Sequence, residues 1–321
     1  MCSRVETDAL YHRAYRARSS TSRRAATSLD QQQNCAPYRT LAPIMKRAYG
    51  SNEYWIERYA KRQATDDETS EWLIAAAQLG PLLSKMLPCD AAVLDVGCGN
   101  SPLVFDLLRD SIHGENARAL AVDIAPGAIQ ALTDEQRARI RRGEASARRA
   151  ALLCADLTQP PAGWLDENRS AYDASIDKST TDGMLCDTRR GAQRVRALYG
   201  VVGAVLRPAA KAVIVSWRAP EDGLAWLLDV VLDGLRSAET PHSEVFSWSL
   251  DIHSICVDDE EASADAQANA PPPPHVYLLS RRPRRVSRRI AATRNVPTAA
   301  AADDTPDEQP TLTVRQHWHT V

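Results

Sequence analysis

The chain has 321 residues, 44% of them hydrophobic and 25% charged, with 39 Lys and Arg against 41 Asp and Glu. That length buries a substantial core, and the formal net charge of −2 supplies no overall field that would draw nucleic acid. No apolar run approaches the ~18 residues of a membrane span, and seven scattered cysteines without a C-x-x-C pair argue for reduced thiols rather than a disulfide frame or a zinc site.

Residues 1–43 are rich in Arg, Ser, Thr and Gln without apolar period and read as a disordered arm. Arg13, Arg16, Arg18, Arg23 and Arg24 leave a mitochondrial presequence open for residues 1–40, against which Glu6, Asp8 and Asp30 count. Otherwise a cytoplasmic protein is expected. Residues 44–88 read as helical, with Leu73, Ile74, Ala77, Leu82, Leu83 and Met86 on an apolar face.

An alternating strand–helix rhythm follows. Strands are expected at 92–97, 118–123, 150–155, 172–177, 212–217, 246–255 and 275–280. Helices are expected at 102–110, 126–142, 188–206 and 221–236. The fold class is therefore α/β: a Rossmann-like, seven-stranded, mostly parallel sheet with helices on both faces and its last strand antiparallel. Residues 258–274 are acidic and rich in Ala and Pro, an inserted loop too polar to pack. Residues 283–321 read as a disordered tail, which bounds the domain at 44–282. Two arginine clusters, at 137–149 and 281–289, read as solvated surface and tail, because no aromatic residues are interleaved for base stacking.

The most informative stretch is Val93-Leu94-Asp95-Val96-Gly97-Cys98-Gly99-Asn100-Ser101. A buried strand runs into a glycine turn and then a helix, with Ser101 as N-cap and Pro102 at the first helical position. This arrangement makes a ligand site at the carboxyl edge of an α/β sheet. Pro102 stands where a dinucleotide fingerprint needs its third glycine, and no Lys-Ser/Thr pair follows as in a P-loop. Asp123 ends strand two, 24 residues after Gly99, where an acidic side chain can take a ribose diol. A nucleoside cofactor without pyrophosphate fits best, S-adenosyl-L-methionine being the obvious one. Cys98 reads as a small residue filling a tight turn, since no histidine is placed to activate it.

Asp156 ends strand three and can take an adenine amino group. Asp177 ends strand four. With Asp95 and Asp123, four successive strands end in acidic residues around one glycine turn. Helix capping alone does not explain that.

With these residues in view, the chain resembles the class I, seven-β-strand methyltransferases. Within them it resembles the eukaryotic lysine methyltransferases that include those acting on translation elongation factor 1-alpha. The class motifs are Asp95–Ser101, Val122-Asp123-Ile124 and Ala155-Asp156-Leu157. Narrower similarities are Tyr54-Trp55-Ile56-Glu57-Arg58-Tyr59 to a Y-W-x-x-R-Y segment, Glu71-Trp72 to an E/D-W pair, and Asp177-Lys178-Ser179-Thr180-Thr181-Asp182 to a D/E-K-G-T-L-D motif. Trp248-Ser249-Leu250 and His275-Val276-Tyr277-Leu278 resemble the closing strands. The likeness spans about residues 49–282. It departs at Ser179, Thr181 and Gly183, where Gly, Leu and Ala are usual, and at Pro208-Ala209-Ala210, where Pro-Gly-Gly is usual.

The resemblance implies S-adenosyl-L-methionine contacts from Trp55, Tyr59, Trp72, Asp95, Gly97, Gly99, Asn100, Asp123, Ile124, Asp156, Leu157 and Lys178. It also implies an N-terminal helical lid bearing Trp55 and Tyr59, whose aromatic faces suit a sulfonium cation. Asp177 is the candidate catalytic residue, orienting the acceptor amine. No metal is required, because the leaving group is a neutral sulfur. The expected reaction is methyl transfer to a protein lysine, with elongation factor 1-alpha the leading target by resemblance. A small-molecule or protein N-terminal methyltransferase, and a non-catalytic binding module on the same fold, remain alternatives. Neither a membrane nor a nucleic acid is an expected partner, and a monomer is the default.

Overall fold

A computed structural model describes residues 47–63, 72–111, 114–238, 246–256, 274–283 and 313–320. The predicted arm at 1–43, the presequence alternative and the inserted loop at 258–274 lie outside the described residues, apart from Pro274. All described elements belong to one unit, Pro43–Val321.

The sheet grows outward from strand β1 (Ala92–Val96), every residue of which is buried. Its side chains alternate between two cores, as the two-residue period of a strand requires. Val93 packs with one face, while Ala92, Leu94 and Val96 pack with the other. β1 pairs in parallel with β2 (Arg118–Asp123) on one side and β4 (Tyr172–Lys178) on the other. β3 (Ala150–Cys154) extends the sheet beyond β2, and β5 (Leu206–Ser216) extends it beyond β4. β7 (His275–Pro283) then inserts antiparallel between β5 and β6 (Phe246–Cys256).

The order 3-2-1-4-5-7-6 is thus the expected Rossmann-like sheet with its last strand reversed. Helix α1 (Asn52–Gln63) lies over the carboxyl edge. α2 (Ala76–Met86) puts Leu79 and Leu83 into the first core. α3 (Leu103–Asp106) follows the glycine turn, and α4 (Pro126–Arg141) follows β2. After β3 comes the short α5 (Trp164–Glu167), and after β4 the short α6 (Thr180–Met184). α7 (Gly191–Val205) buries Val195, Leu198, Tyr199 and Val202 against the opposite core.

Several expectations are corrected. An eighth strand, β8 (Thr313–Thr320), pairs in parallel with β6, inside the predicted tail. Thr, Val and Trp in this segment favour strands, and the edge of β6 offers free backbone groups to pair. The helix after the glycine turn begins one residue late: Pro102, not Ser101, occupies the cap position. The helix expected at 221–236 is broken into a short turn at Pro220–Asp222, a wide π-type segment at Leu227–Leu232 and a final turn at Asp233–Ser237.

β5 starts six residues earlier than expected. Its register against β4 slips between Tyr172 and Ala174, and Ala209 in the slipped segment has φ +131°. Arg207 closes the irregularity by holding the Asp173 carboxylate at 2.7 and 2.8 Å.

The arginine clusters are also less solvated than their composition implies. Arg139 is buried and donates to Glu135 at 2.6 Å and Asp106 at 2.8 Å. Arg149 ties the carbonyls of Gly114 and Leu108. Arg281 lies buried 3.7 Å from the Phe246 ring centre and donates to the carbonyls of Gly203 and Leu206. A guanidinium can stack on a ring and brace fixed carbonyls at once, which composition does not reveal.

Candidate active site

The glycine turn is folded back on the end of β2. Val122 O accepts the N–H of Gly97 at 2.8 Å and of Cys98 at 3.1 Å. Gly97 and Gly99 have φ of +66° and +56°, values side chains disfavour. Asp123 Oδ2 then accepts the Gly99 N–H at 2.9 Å, and Oδ1 accepts that of Ala125 at 2.8 Å. The acidic end of β2 therefore holds the turn as well as facing the cavity. Burial raises its pKa, and the backbone donors partly offset this. The Cys98 thiol is buried, and burial together with Asp123 raises its pKa well above the usual range. It stays protonated, as a turn-filling residue would.

Asp156 follows β3 in a turn of its own. Its Oδ1 accepts the Thr158 N–H at 2.8 Å and the Thr158 hydroxyl at 2.7 Å, and Oδ2 accepts from Asn52 Nδ2 at 3.2 Å. On the other side of the turn, Thr180 Oγ1 donates to Val96 O at 2.8 Å, seating α6 against Gly97.

α1 covers this edge because glycines let it approach. A Cβ on Gly127 would stand 2.8 Å from Tyr59 O. Trp55 and Tyr59 lie one helical turn apart on α1 and stack at 6.4 Å. Trp72 meets Trp55 edge-on at 5.6 Å and Trp217 at 6.3 Å, and Tyr49 meets Trp72 at 5.7 Å. Lys178 Nζ donates to Trp72 O at 3.2 Å.

Together these groups line a concave cavity that opens at the carboxyl edge of the sheet. Of the residues expected to bind cofactor, Trp55, Tyr59, Trp72, Gly97, Asp123, Ile124, Asp156, Leu157 and Lys178 line it. Asp95, Gly99 and Asn100 are not among its lining residues.

Asp177 does not line it either. It is 2% exposed. Its oxygens accept from the N–H of Thr180 (2.8 Å), the Thr181 hydroxyl (2.6 Å) and the Tyr199 hydroxyl (2.9 Å). The strand places the carboxylate inward, where it caps the start of α6; the expected role in orienting an amine stands as a proposal beside that capping role. Burial raises its pKa while those donors lower it.

Sequence reasoning missed Tyr49, Asn52, Met184, Arg194 and Leu198, all of which line the cavity. Tyr49 and Asn52 lie just before the aromatic segment and were within reach of it. Arg194 is an ordinary helix arginine by sequence and carries no signal.

No family model matches the chain. Over 180 residues, 55% of this chain, it is 25% identical to a Bos taurus protein named eEF1A lysine and N-terminal methyltransferase. The chain resembles the class I methyltransferases. It spans only 23% of the length of that curated relative. Among solved structures, a TehB-like SAM-dependent methyltransferase from Corynebacterium glutamicum is 15% identical, covering 73% of this chain and 98% of that one at a TM-score of 0.41. A SAM-dependent methyltransferase from Aquifex aeolicus is 13% identical, covering 70% and 97%, at 0.42. The methyltransferase fold of this chain rests on its own strand order, not on these likenesses.

S-adenosyl-L-methionine is the cofactor expected of such a fold, and the lining residues suit it chemically. Two carboxylates, Asp123 and Asp156, are flanked by apolar Ile124 and Leu157, as an adenosine requires. Tyr49, Trp55, Tyr59, Trp72 and Trp217 add aromatic faces to the lining, and Lys178 adds a cation, groups that a sulfonium and a carboxylate require. Among the described residues, no group of acidic, Cys and His side chains could hold a metal ion, and no helix is long and apolar enough to cross a membrane.

Proposed function

We propose that the protein is an S-adenosyl-L-methionine-dependent methyltransferase acting on a protein amine, a lysine side chain in the first instance, with elongation factor 1-alpha as the leading target. The observation that supports this most is the convergence of Gly97, Asp123, Asp156, Trp55 and Trp72 on one cavity at the carboxyl edge of the sheet. The 25% identity to the bovine eEF1A methyltransferase supports the choice of substrate class.

The cofactor supplies a methyl group already activated on sulfur. Asp123 would hold the ribose and Asp156 the adenine amine. α1 acts as a lid whose Trp55 and Tyr59 exclude water. The protein's contribution to rate is then chiefly alignment.

A lysine acceptor has a free pKa near ~10.4 and must first lose a proton. Among the described lining residues the carboxylates are Asp123 and Asp156, both committed to turn and strand ends. The aromatic walls of Trp72 and Trp217 lower the amine's pKa by desolvation instead, and the proton leaves to water. An N-terminal amine, with its lower starting pKa of ~8, needs less of this help, and the relative's name includes N-terminal methylation. It stands as the second reading.

The test is calorimetry of S-adenosyl-L-methionine and its demethylated product on the full chain, followed by transfer of labelled methyl to purified elongation factor 1-alpha. Micromolar binding of both ligands, lost in Asp123→Ala, with label on a lysine, is expected. Label confined to the N-terminus would select the second reading. Binding without transfer to any protein would leave a cofactor-binding module.

A further inference from the structure

Arg194 sits in the first turn of α7, where the helix dipole disfavours a cation. Its hydrogen bonds run instead to the segment that enters α1. Nη1 donates to Gly50 O at 2.6 Å, and Nη2 donates to Asn52 Oδ1. Asn52 in turn donates from Nδ2 to Asp156 Oδ2 at 3.2 Å. Arg194, Gly50, Asn52 and Asp156 all line the cavity.

We propose that Arg194 is a positioning residue for the adenine end of the cofactor site, acting through Asn52 on Asp156. The proposal rests on the methyltransferase reading above.

An amide can present either its oxygen or its nitrogen to a neighbour. Here a guanidinium stands on one side of Asn52 and a carboxylate on the other, so only one orientation is attractive. Flipping it would set oxygen against carboxylate and NH2 against guanidinium. Arg194 therefore fixes the side of Asn52 that Asp156 meets. Asp156 Oδ1 already accepts two hydrogen bonds from Thr158. Oδ2 accepts one from Asn52 and keeps a lone pair, which is the acceptor an adenine amino group needs. The same guanidinium holds Gly50 O, so the entry to α1 and the aim of the Asp156 carboxylate are set by one side chain. Docking of the lid and recognition of adenine are thereby joined.

The experiment is calorimetry of S-adenosylhomocysteine and of adenosine on the full chain, for wild type, Arg194→Ala, Asn52→Ala, Asn52→Asp and the double alanine variant. Arg194→Ala should weaken both ligands about tenfold, since both carry adenine. The double variant should lose less than the sum of the two single losses, because Arg194 acts on Asp156 through Asn52. Asn52→Asp should bind more weakly than Asn52→Ala, and acidification should narrow the gap, as two facing carboxylates require. A purely structural Arg194 would lower thermal stability and leave both affinities unchanged, which overturns the proposal. Additive losses in the double variant would overturn it too. If Arg194→Ala fails to fold, the Asn52 pair decides: equal affinities of its Ala and Asp forms overturn the relay. A wild type that binds neither ligand would overturn the methyltransferase reading and the relay with it, an outcome separable from the others.

Discussion

Tyr59 rests its hydroxyl against Gly99: a Cβ at residue 99 would lie 2.3 Å from that oxygen. Helix α1 and the glycine turn after β1 thus share one glycine. The contact at Gly127 is harder, because the Cβ there would meet the backbone oxygen of Tyr59 rather than the tip of a side chain. Alanine in a helix is favoured over glycine by about 1 kcal/mol, so Gly127→Ala should help α4 while blocking α1. The expected result is a protein that melts close to wild type, binds S-adenosylhomocysteine about tenfold or more weakly, and is cut faster by trypsin within α1. Calorimetry and limited proteolysis check this; wild-type affinity would mean that α1 is not part of the site.

Gly97→Arg should abolish cofactor binding, and the structure explains why even a smaller change is harmful. A Cβ at residue 97 would stand 2.0 Å from Thr180 Oγ1, on a backbone at φ +66°. Gly97→Ala should displace Thr180 from Val96 O, weaken binding strongly and cost about 1–3 kcal/mol. Thermal melting beside calorimetry separates the two losses.

Two departures from the family pattern coincide with positive φ. Ser179 has φ +72° where the resembled motif carries glycine, and Ala209 has φ +131° where the resembled turn does. Each holds a side chain in a region that favours glycine, a strain of about 1–3 kcal/mol. Ser179→Gly and Ala209→Gly should each raise stability by about 1 kcal/mol, or about 2–4 °C in Tm for a domain of this size. Differential scanning calorimetry reads this, and a lowered Tm would contradict the strain.

Asp177→Asn distinguishes a capping role from a catalytic one. Loss of an acceptor shared by Thr180, Thr181 and Tyr199 should destabilise the protein by about 1–3 kcal/mol. A fall in turnover of more than a hundredfold with unchanged stability would instead support the catalytic assignment.

Asp182 predicts a pH dependence. It is fully buried, and burial raises its pKa to about 6 despite the Arg218 guanidinium 3.1 Å away and a hydrogen bond from Ser216. The folded state then binds its proton more tightly than the unfolded chain does. Stability from this group is present below the unfolded value near ~4 and is lost as pH rises through about 6. Burial shifts Asp123 and Asp177 in the same direction. Tm measured from pH 4 to 8 should therefore fall across that window, and Asp182→Asn should flatten the fall. A slope unaltered by the substitution would place the titration elsewhere.

Much of this was legible in the chain. The strand Val93–Val96 and the positions of Asp123 and Asp156 follow from periodicity and motif, because each is a local pattern, while Trp55 and Tyr59 were singled out only by the resemblance. Sequence spacing did not separate the two roles open to Asp177, because a strand end can face a cavity or cap the next helix and the spacing is the same for both. Arg281 was misjudged because a basic run after a strand reads as surface until Phe246 is seen beneath it. β8 was missed because its pairing partner, β6, lies more than fifty residues earlier in the chain.

By itself the sequence determined the α/β class, the glycine turn and the acidic residues that end its strands, since these depend on residue type and near-neighbour spacing. Only the tertiary structure decided which of those carboxylates face the cavity, that Gly127 admits α1, and that Arg194 reaches Asn52. Those relations join segments far apart in the chain, and they are set by how two cores pack against one sheet.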